Sequence, residues 1–121
     1  MGLAMTGTAA CSTGQEPTEP PGFGPVTASF LTDEFLQVEV EMTGEPTLAD
    51  LRAYADCAAA EAILLNGPGY AQHIRTLSAE EAGITRADAV YTVSRTRPDG
   101  PFVIDADAAR QTCKDQGIPG V

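Results

Sequence analysis

The chain has 121 residues, 43% of them hydrophobic, with 17 acidic side chains against 7 basic ones and a formal charge of −10. Seven cations under that acidic excess cannot neutralise a phosphate backbone, which excludes nucleic acid as a partner, and no apolar run reaches the roughly 18 residues of a spanning helix. With one histidine and three cysteines, a four-ligand zinc site would consume all of them, so no metal or cofactor is expected.

Residues 1–25 differ in composition from the remainder. The stretch Gly14-Gln15-Glu16-Pro17-Thr18-Glu19-Pro20-Pro21-Gly22 has no apolar periodicity and too little apolar surface to offset the entropy of ordering it, which reads as a tether. Ahead of it, Ala9-Ala10-Cys11 resembles the end of a bacterial lipobox, with Cys11 as the lipidation site. Thr8 stands where the usual Leu of that motif falls, and the basic start and long apolar segment of a signal peptide are missing. Residues 26–121 then form one domain.

Val26 to Met42 predicts a β-hairpin. Leu36, Val38, Val40 and Met42 alternate with Gln37, Glu39 and Glu41, Val26, Ala28 and Phe30 share a face of the first arm, and Thr32-Asp33-Glu34 is the turn. A helix follows from Thr47-Leu48-Ala49-Asp50, with Thr47 as cap and Asp50 as an acidic variant of the capping box. Leu48, Leu51, Ala55, Ala58, Ala62 and Leu65 form its apolar stripe, Arg52 and Asp56 lie off it, and Asn66-Gly67-Pro68 ends it with Gly67 as the left-handed residue.

Tyr70 to Leu77 predicts a third strand and Ala89 to Thr96 a fourth, joined by an acidic connection from Ser78 to Asp88. Arg97-Pro98-Asp99-Gly100-Pro101 is a turn, Phe102-Val103-Ile104 a short strand, and Asp105 caps a helix from Ala106 to Gln116 that stops at Gly117-Ile118-Pro119. The order β-β-α-β-β-(β)-α predicts an α+β domain: an antiparallel sheet of four to five strands with two helices on one face.

If the two helices share a face, Cys57 and Cys113 meet in a disulfide, which points to an oxidising compartment; otherwise they are two buried thiols. Cys57 sits in mid-helix without an adjacent cation and is not placed to be a nucleophile. Alternation puts His73, Arg75 and Leu77 opposite Tyr70 and Ile74, so His73 and Arg75 join Gln37 and Glu39 on an exposed sheet face. A hydrolase or transferase would need His73 beside Ser78, Ser94 or Asp99, and neither serine has an elbow motif around it. Arg75, Arg95 and Arg97 would make an anion site if they converged, or would pair across strands with Glu39 and Glu41. Asp99, Asp105 and Asp107 lack the carboxylate series of a calcium loop, and Gly67-Pro68-Gly69 closes a helix where a phosphate loop would open one.

The segment Tyr54-Ala55-Asp56-Cys57-Ala58-Ala59-Ala60-Glu61-Ala62-Ile63-Leu64-Leu65-Asn66-Gly67-Pro68-Gly69-Tyr70 resembles the alanine-rich helix-to-strand unit of small proteobacterial envelope lipoproteins. The helix through Ala108-Ala109-Arg110-Gln111-Thr112-Cys113 is similar to their C-terminal unit. That resemblance implies a location, periplasmic or secreted and lipid-anchored through Cys11, more than an activity. The expectation is therefore a non-enzymatic envelope module that meets a protein partner through the face bearing Gln37, Glu39, His73 and Arg75. Small-hydrolase chemistry at His73 and anion binding at the three arginines are the alternatives. Nothing in the chain specifies an oligomeric state.

Overall fold

The computed structural model describes residues 21–120; Cys11, with the lipobox likeness around it, lies outside them. Five strands, β1 (Gly22–Thr32), β2 (Phe35–Thr43), β3 (Tyr70–Glu81), β4 (Ile84–Ser94) and β5 (Val103–Asp105), and two helices, α1 (Leu48–Leu64) and α2 (Ala106–Gln116), follow one another as β-β-α-β-β-β-α. The strands form one open antiparallel sheet in the spatial order β1-β2-β4-β3-β5. The α+β architecture is the one the sequence pattern predicts.

The alternation in β2 decides which face is buried. Leu36, Val38, Val40 and Met42 are buried, as are their cross-strand neighbours Tyr91, Ala89 and Ala87 on β4. Helix α1 lies on this face, and its buried Ala55, Ala58, Ala59 and Ala62 let the helix backbone come close to the sheet. Small side chains contribute contact more than transfer energy. The larger share comes from the fully buried Leu, Val and Met side chains of β2, each stabilising by about 1.5–3 kcal/mol. The ends of the expected stripe are not core: Leu48 is 56% exposed and Leu65 83%.

The caps form as the sequence indicates. The Asp50 N–H donates to the Thr47 hydroxyl at 3.0 Å while the Thr47 N–H donates to Asp50 Oδ2 at 2.8 Å, a complete capping box. Asp105 Oδ1 accepts from the N–H groups of Asp107 and Ala108 at 3.1 and 3.3 Å. Gly117 takes the left-handed conformation, and the Ile118 N–H reaches back to the Cys113 carbonyl at 2.9 Å in a Schellman arrangement. Helix α1 ends more gradually, through a short turn in which Asn66 and Gly67 donate to the carbonyls of Ile63 and Leu64.

Three boundaries differ from expectation. Strand β1 starts at Gly22, four residues before Val26, because the Phe23 ring packs edge-on against Tyr54 at 4.9 Å and the Tyr54 hydroxyl donates to the Gly24 carbonyl. The connection Ser78 to Asp88 is not a loop. β3 and β4 run on to a two-residue hairpin turn at Ala82-Gly83, both with positive φ (56° and 82°), the conformation that suits strand twist in a tight hairpin. Strand β5 begins at Val103 because Phe102 itself adopts a φ of 60°.

Helix α2 packs on α1 and β5. Of its residues only Ala106 and Cys113 are buried, so its hold on the domain is concentrated in the Cys57–Cys113 disulfide, whose Cα atoms lie 6.0 Å apart. Arg110 and Glu61 add an ion pair at 3.2 Å between half-exposed side chains, a minor contribution in water.

Candidate functional site

A polar cluster interrupts the apolar interface between α1 and the sheet. Arg52 and Asp56, one helical turn apart, sit beside the alanine stripe on the side facing β4 and β3. Tyr91 points inward from the middle of β4, is fully buried, and donates its phenolic proton to Asp56 Oδ1 at 2.7 Å. The His73 ring lies 5.6 Å from that of Tyr91, and its Nε2 is 2.6 Å from the Thr76 hydroxyl. Phe102, on the loop after β4, closes the cluster from outside: its ring is 6.3 Å from His73 and 5.3 Å from the Arg52 guanidinium carbon. That loop is held by the His73 N–H, which donates to the Phe102 carbonyl at 3.2 Å, and by Gln72 Nε2, which donates to the carbonyls of Asp99 and Pro101.

His73 shares this face with the buried Ala71 by alternation, and a β-bulge directly after it separates it from the residues that follow. Ala71 pairs with Val93 and His73 with Tyr91, but the next partners are Arg75 with Val90 and Thr76 with Ala89. The extra residue, Ile74, resets the alternation. The expected grouping of His73 with Arg75 and Leu77 is thereby corrected: Arg75 and Leu77 are on the helix-free face with Gln37 and Glu39, whereas His73 faces α1.

Electrostatics bind the cluster together. Burial pushes the Asp56 carboxyl above its ordinary value, against the opposing pull of the Tyr91 hydrogen bond, Arg52 and His73. Burial, then Arg52, holds the His73 imidazole below its ordinary value. The Tyr91 phenol is raised well beyond its usual range by burial and by the Asp56 carboxylate, so it remains a hydrogen-bond donor throughout the physiological range. Tyr91 and Asp56 are thus a packing pair with a satisfied polar contact.

The contacts that the alternative, hydrolase or transferase chemistry at His73, would need do not form. The His73 ring nitrogen meets Thr76 and no serine; Ser94 donates to the Thr96 carbonyl, and Asp99 contributes its backbone to Gln72. The three arginines do not converge. Arg75 is opposite Val90 on the helix-free face. Arg95 lines an open cleft of about 670 Å³ with Phe30, Ile63 and Gly67 at the C-terminal end of α1. Arg97 lines a separate groove between α1, β5 and α2 and stacks on Tyr70. Arg52, Asp56, Thr76, Tyr91 and Phe102 were not singled out by sequence reasoning. The signal was the isolated Arg52/Asp56 pair in an alanine-rich helix, together with an inward tyrosine whose hydroxyl requires a partner.

On the helix-free face, Glu41 pairs with Arg86 at 3.0 Å, and Gln37 Nε2 donates to both carboxylate oxygens of Asp88 at 3.1 Å. Glu39 stands directly opposite Asp88, and no described cation pairs with it.

A family model described as the YNQ4 C-terminal domain matches residues 23–117, which run from the second residue of β1 to the cap of α2. An uncharacterized 26.9 kDa protein in the nqo8 5′ region of Paracoccus denitrificans is 34% identical over 87 residues, covering 72% of this chain and 34% of that protein. The chain therefore spans about a third of the length of this curated relative. No solved structure matches the chain. The coarse part of the sequence resemblance, a likeness to proteobacterial proteins, agrees with these findings. The chain belongs to the YNQ4 C-terminal domain family.

Proposed function

We propose that this domain is a non-enzymatic interaction module of the bacterial cell envelope, lipid-anchored through Cys11 or secreted, whose helix-free sheet face binds an electropositive surface of another envelope protein. The observation that carries this reading is the Glu39–Asp88 juxtaposition. Like charges directly opposite one another in a sheet oppose folding, so their placement beside the 60%-exposed Leu77 is better suited to a partner than to stability. The Cys57–Cys113 disulfide supports an oxidising compartment, and the charge of −10 supports a basic partner through electrostatic steering.

The test places a photo-cross-linking residue at position 77 and, as a control, at the exposed position 111 on α2, in protein expressed with its native upstream region. The reading expects one basic envelope protein captured through position 77 alone, identified by mass spectrometry. Purified, that protein should bind with an affinity that falls with added salt and falls again in Glu39→Lys, although Glu39→Lys itself raises domain stability. Capture shared equally by the two positions, or binding unchanged by Glu39→Lys, overturns it.

A further inference from the structure

Arg52 has a charged neighbour in Asp56, one turn along α1, but no direct partner among the described residues. Its Nε is buried and has no hydrogen-bond partner, and its guanidinium forms no ion pair with a described carboxylate. The adjacent Asp56 carboxylate is taken by the Tyr91 hydroxyl. A buried donor left unmade costs free energy, more so for a charged group, and folded proteins rarely leave one so. The Phe102 ring lies against the guanidinium, and His73, near enough for the Arg52 charge to act on it, is hydrogen-bonded to the Thr76 hydroxyl on β3. Phe102 is 60% exposed and Arg52 as a whole only partly buried, so the outer part of the guanidinium borders solvent.

We propose that Arg52, with His73 and Thr76 beneath Phe102, forms a binding site for a small oxyanion, a carboxylate or phosphate group accepting the forked donors of the guanidinium. This geometry suits arginine, whose planar fork matches two oxygens of one anion. The site is separate from the helix-free face and does not depend on the function proposed for it. Anion binding and His73 protonation are linked, because negative charge beside the imidazole favours its cationic form. The other ionisable groups facing the ring are Arg52 and Asp56 from α1 and Tyr91 from β4.

His73 is the only histidine in the chain, so its ring signals report the site without ambiguity. The experiment follows the His73 ring resonances and their pH titration by NMR while inorganic phosphate, acetate or chloride is added at constant ionic strength. The expected result is a saturable shift and an upward movement of the His73 titration with phosphate, acetate or both, but not with chloride. Arg52→Gln weakens the binding by about tenfold or more. Should Arg52→Gln fail to fold, Arg52→Lys keeps the charge but loses the fork, and the same weakening is expected. No saturable shift in the wild-type protein overturns the proposal. So does an equal response to chloride or an unchanged response in the Arg52 variant, since either identifies an adventitious ion only.

Discussion

Tyr91 Oη lies 2.7 Å from Asp56 Oδ1, joining the centre of β4 to the middle of α1 across the core. Tyr91 is fully buried, so removing its hydroxyl leaves a largely desolvated carboxylate without its donor. Tyr91→Phe should destabilise the domain by about 1–3 kcal/mol, read from urea unfolding at neutral pH. Asp56→Asn, whose amide oxygen still accepts from the phenol, should cost less. The pH dependence has a definite sign. The folded-state pKa of Asp56 is raised from 3.8, so the folded state holds the proton more tightly and stability from this group falls as pH rises from 3.8 through the raised value. Asp56→Asn should abolish that slope, and Tyr91→Phe should extend it to higher pH by removing a contact that favours the carboxylate.

The disulfide carries a second prediction. Cys57 and Cys113 are 56 residues apart in sequence, a loop whose closure stabilises by about 4 kcal/mol in the chain-entropy model. Because α2 buries little besides Ala106 and Cys113, the Cys57→Ala/Cys113→Ala variant should lose amide-exchange protection first across Ala106–Gln116 while β2 and β4 stay protected. Uniform loss of protection across the chain would instead mean that α2 and the sheet unfold as one unit.

Much of this architecture is legible in the residues because the controlling physics is local. Thr47 and Asp50, Asp105, and Gly117 with Ile118 act over three or four positions, and the period of two in β2 names the buried face directly. Two features are not local. The Ala82-Gly83 turn is masked by the preceding Ala79-Glu80-Glu81, a run with helix-forming composition that nevertheless pairs with β4. The bulge at Ile74 leaves no mark in the sequence, since nothing in Gln72-His73-Ile74-Arg75 reveals that one residue drops out of register. That single slip turns Arg75 and Leu77 to the open face while His73 stays with Ala71 on the helix side, and the grouping of candidate residues moves with it. Tyr91 and Asp56, 35 positions apart, become partners only once the order β2-β4-β3 and the seat of α1 are known.

His73 makes a third test. Its folded-state pKa is lowered from 6.5, so the unfolded chain binds the proton more readily. Stability contributed by the neutral ring is complete above 6.5 and is lost as pH falls from 6.5 through the lowered value. His73→Gln should flatten the stability profile below pH 6.5, and NMR titration of the single imidazole should give a midpoint below the ordinary histidine value. A wild-type midpoint at or above that value would contradict the desolvated position of the ring.

The β3–β4 turn supplies the last. Ala82 holds φ at 56°, a conformation in which a Cβ atom crowds the following carbonyl at a cost of about 1–2 kcal/mol. Gly83 holds φ at 82° with nothing within 4 Å of an added Cβ, so any effect of substitution there is conformational, not steric contact with the rest of the fold. Asparagine tolerates the left-handed region through local hydrogen bonding, and Asn-Gly is the preferred pair for this turn. Ala82→Asn should therefore stabilise the domain by about 0.5–1 kcal/mol, raising Tm by a few degrees. Gly83→Ala should destabilise it by a similar amount. Both changes act on a hairpin tip remote from α1, so the pH profile set by Asp56 and His73 should keep its shape while its whole level shifts. A changed shape would show that the tip and the polar cluster are coupled through β3.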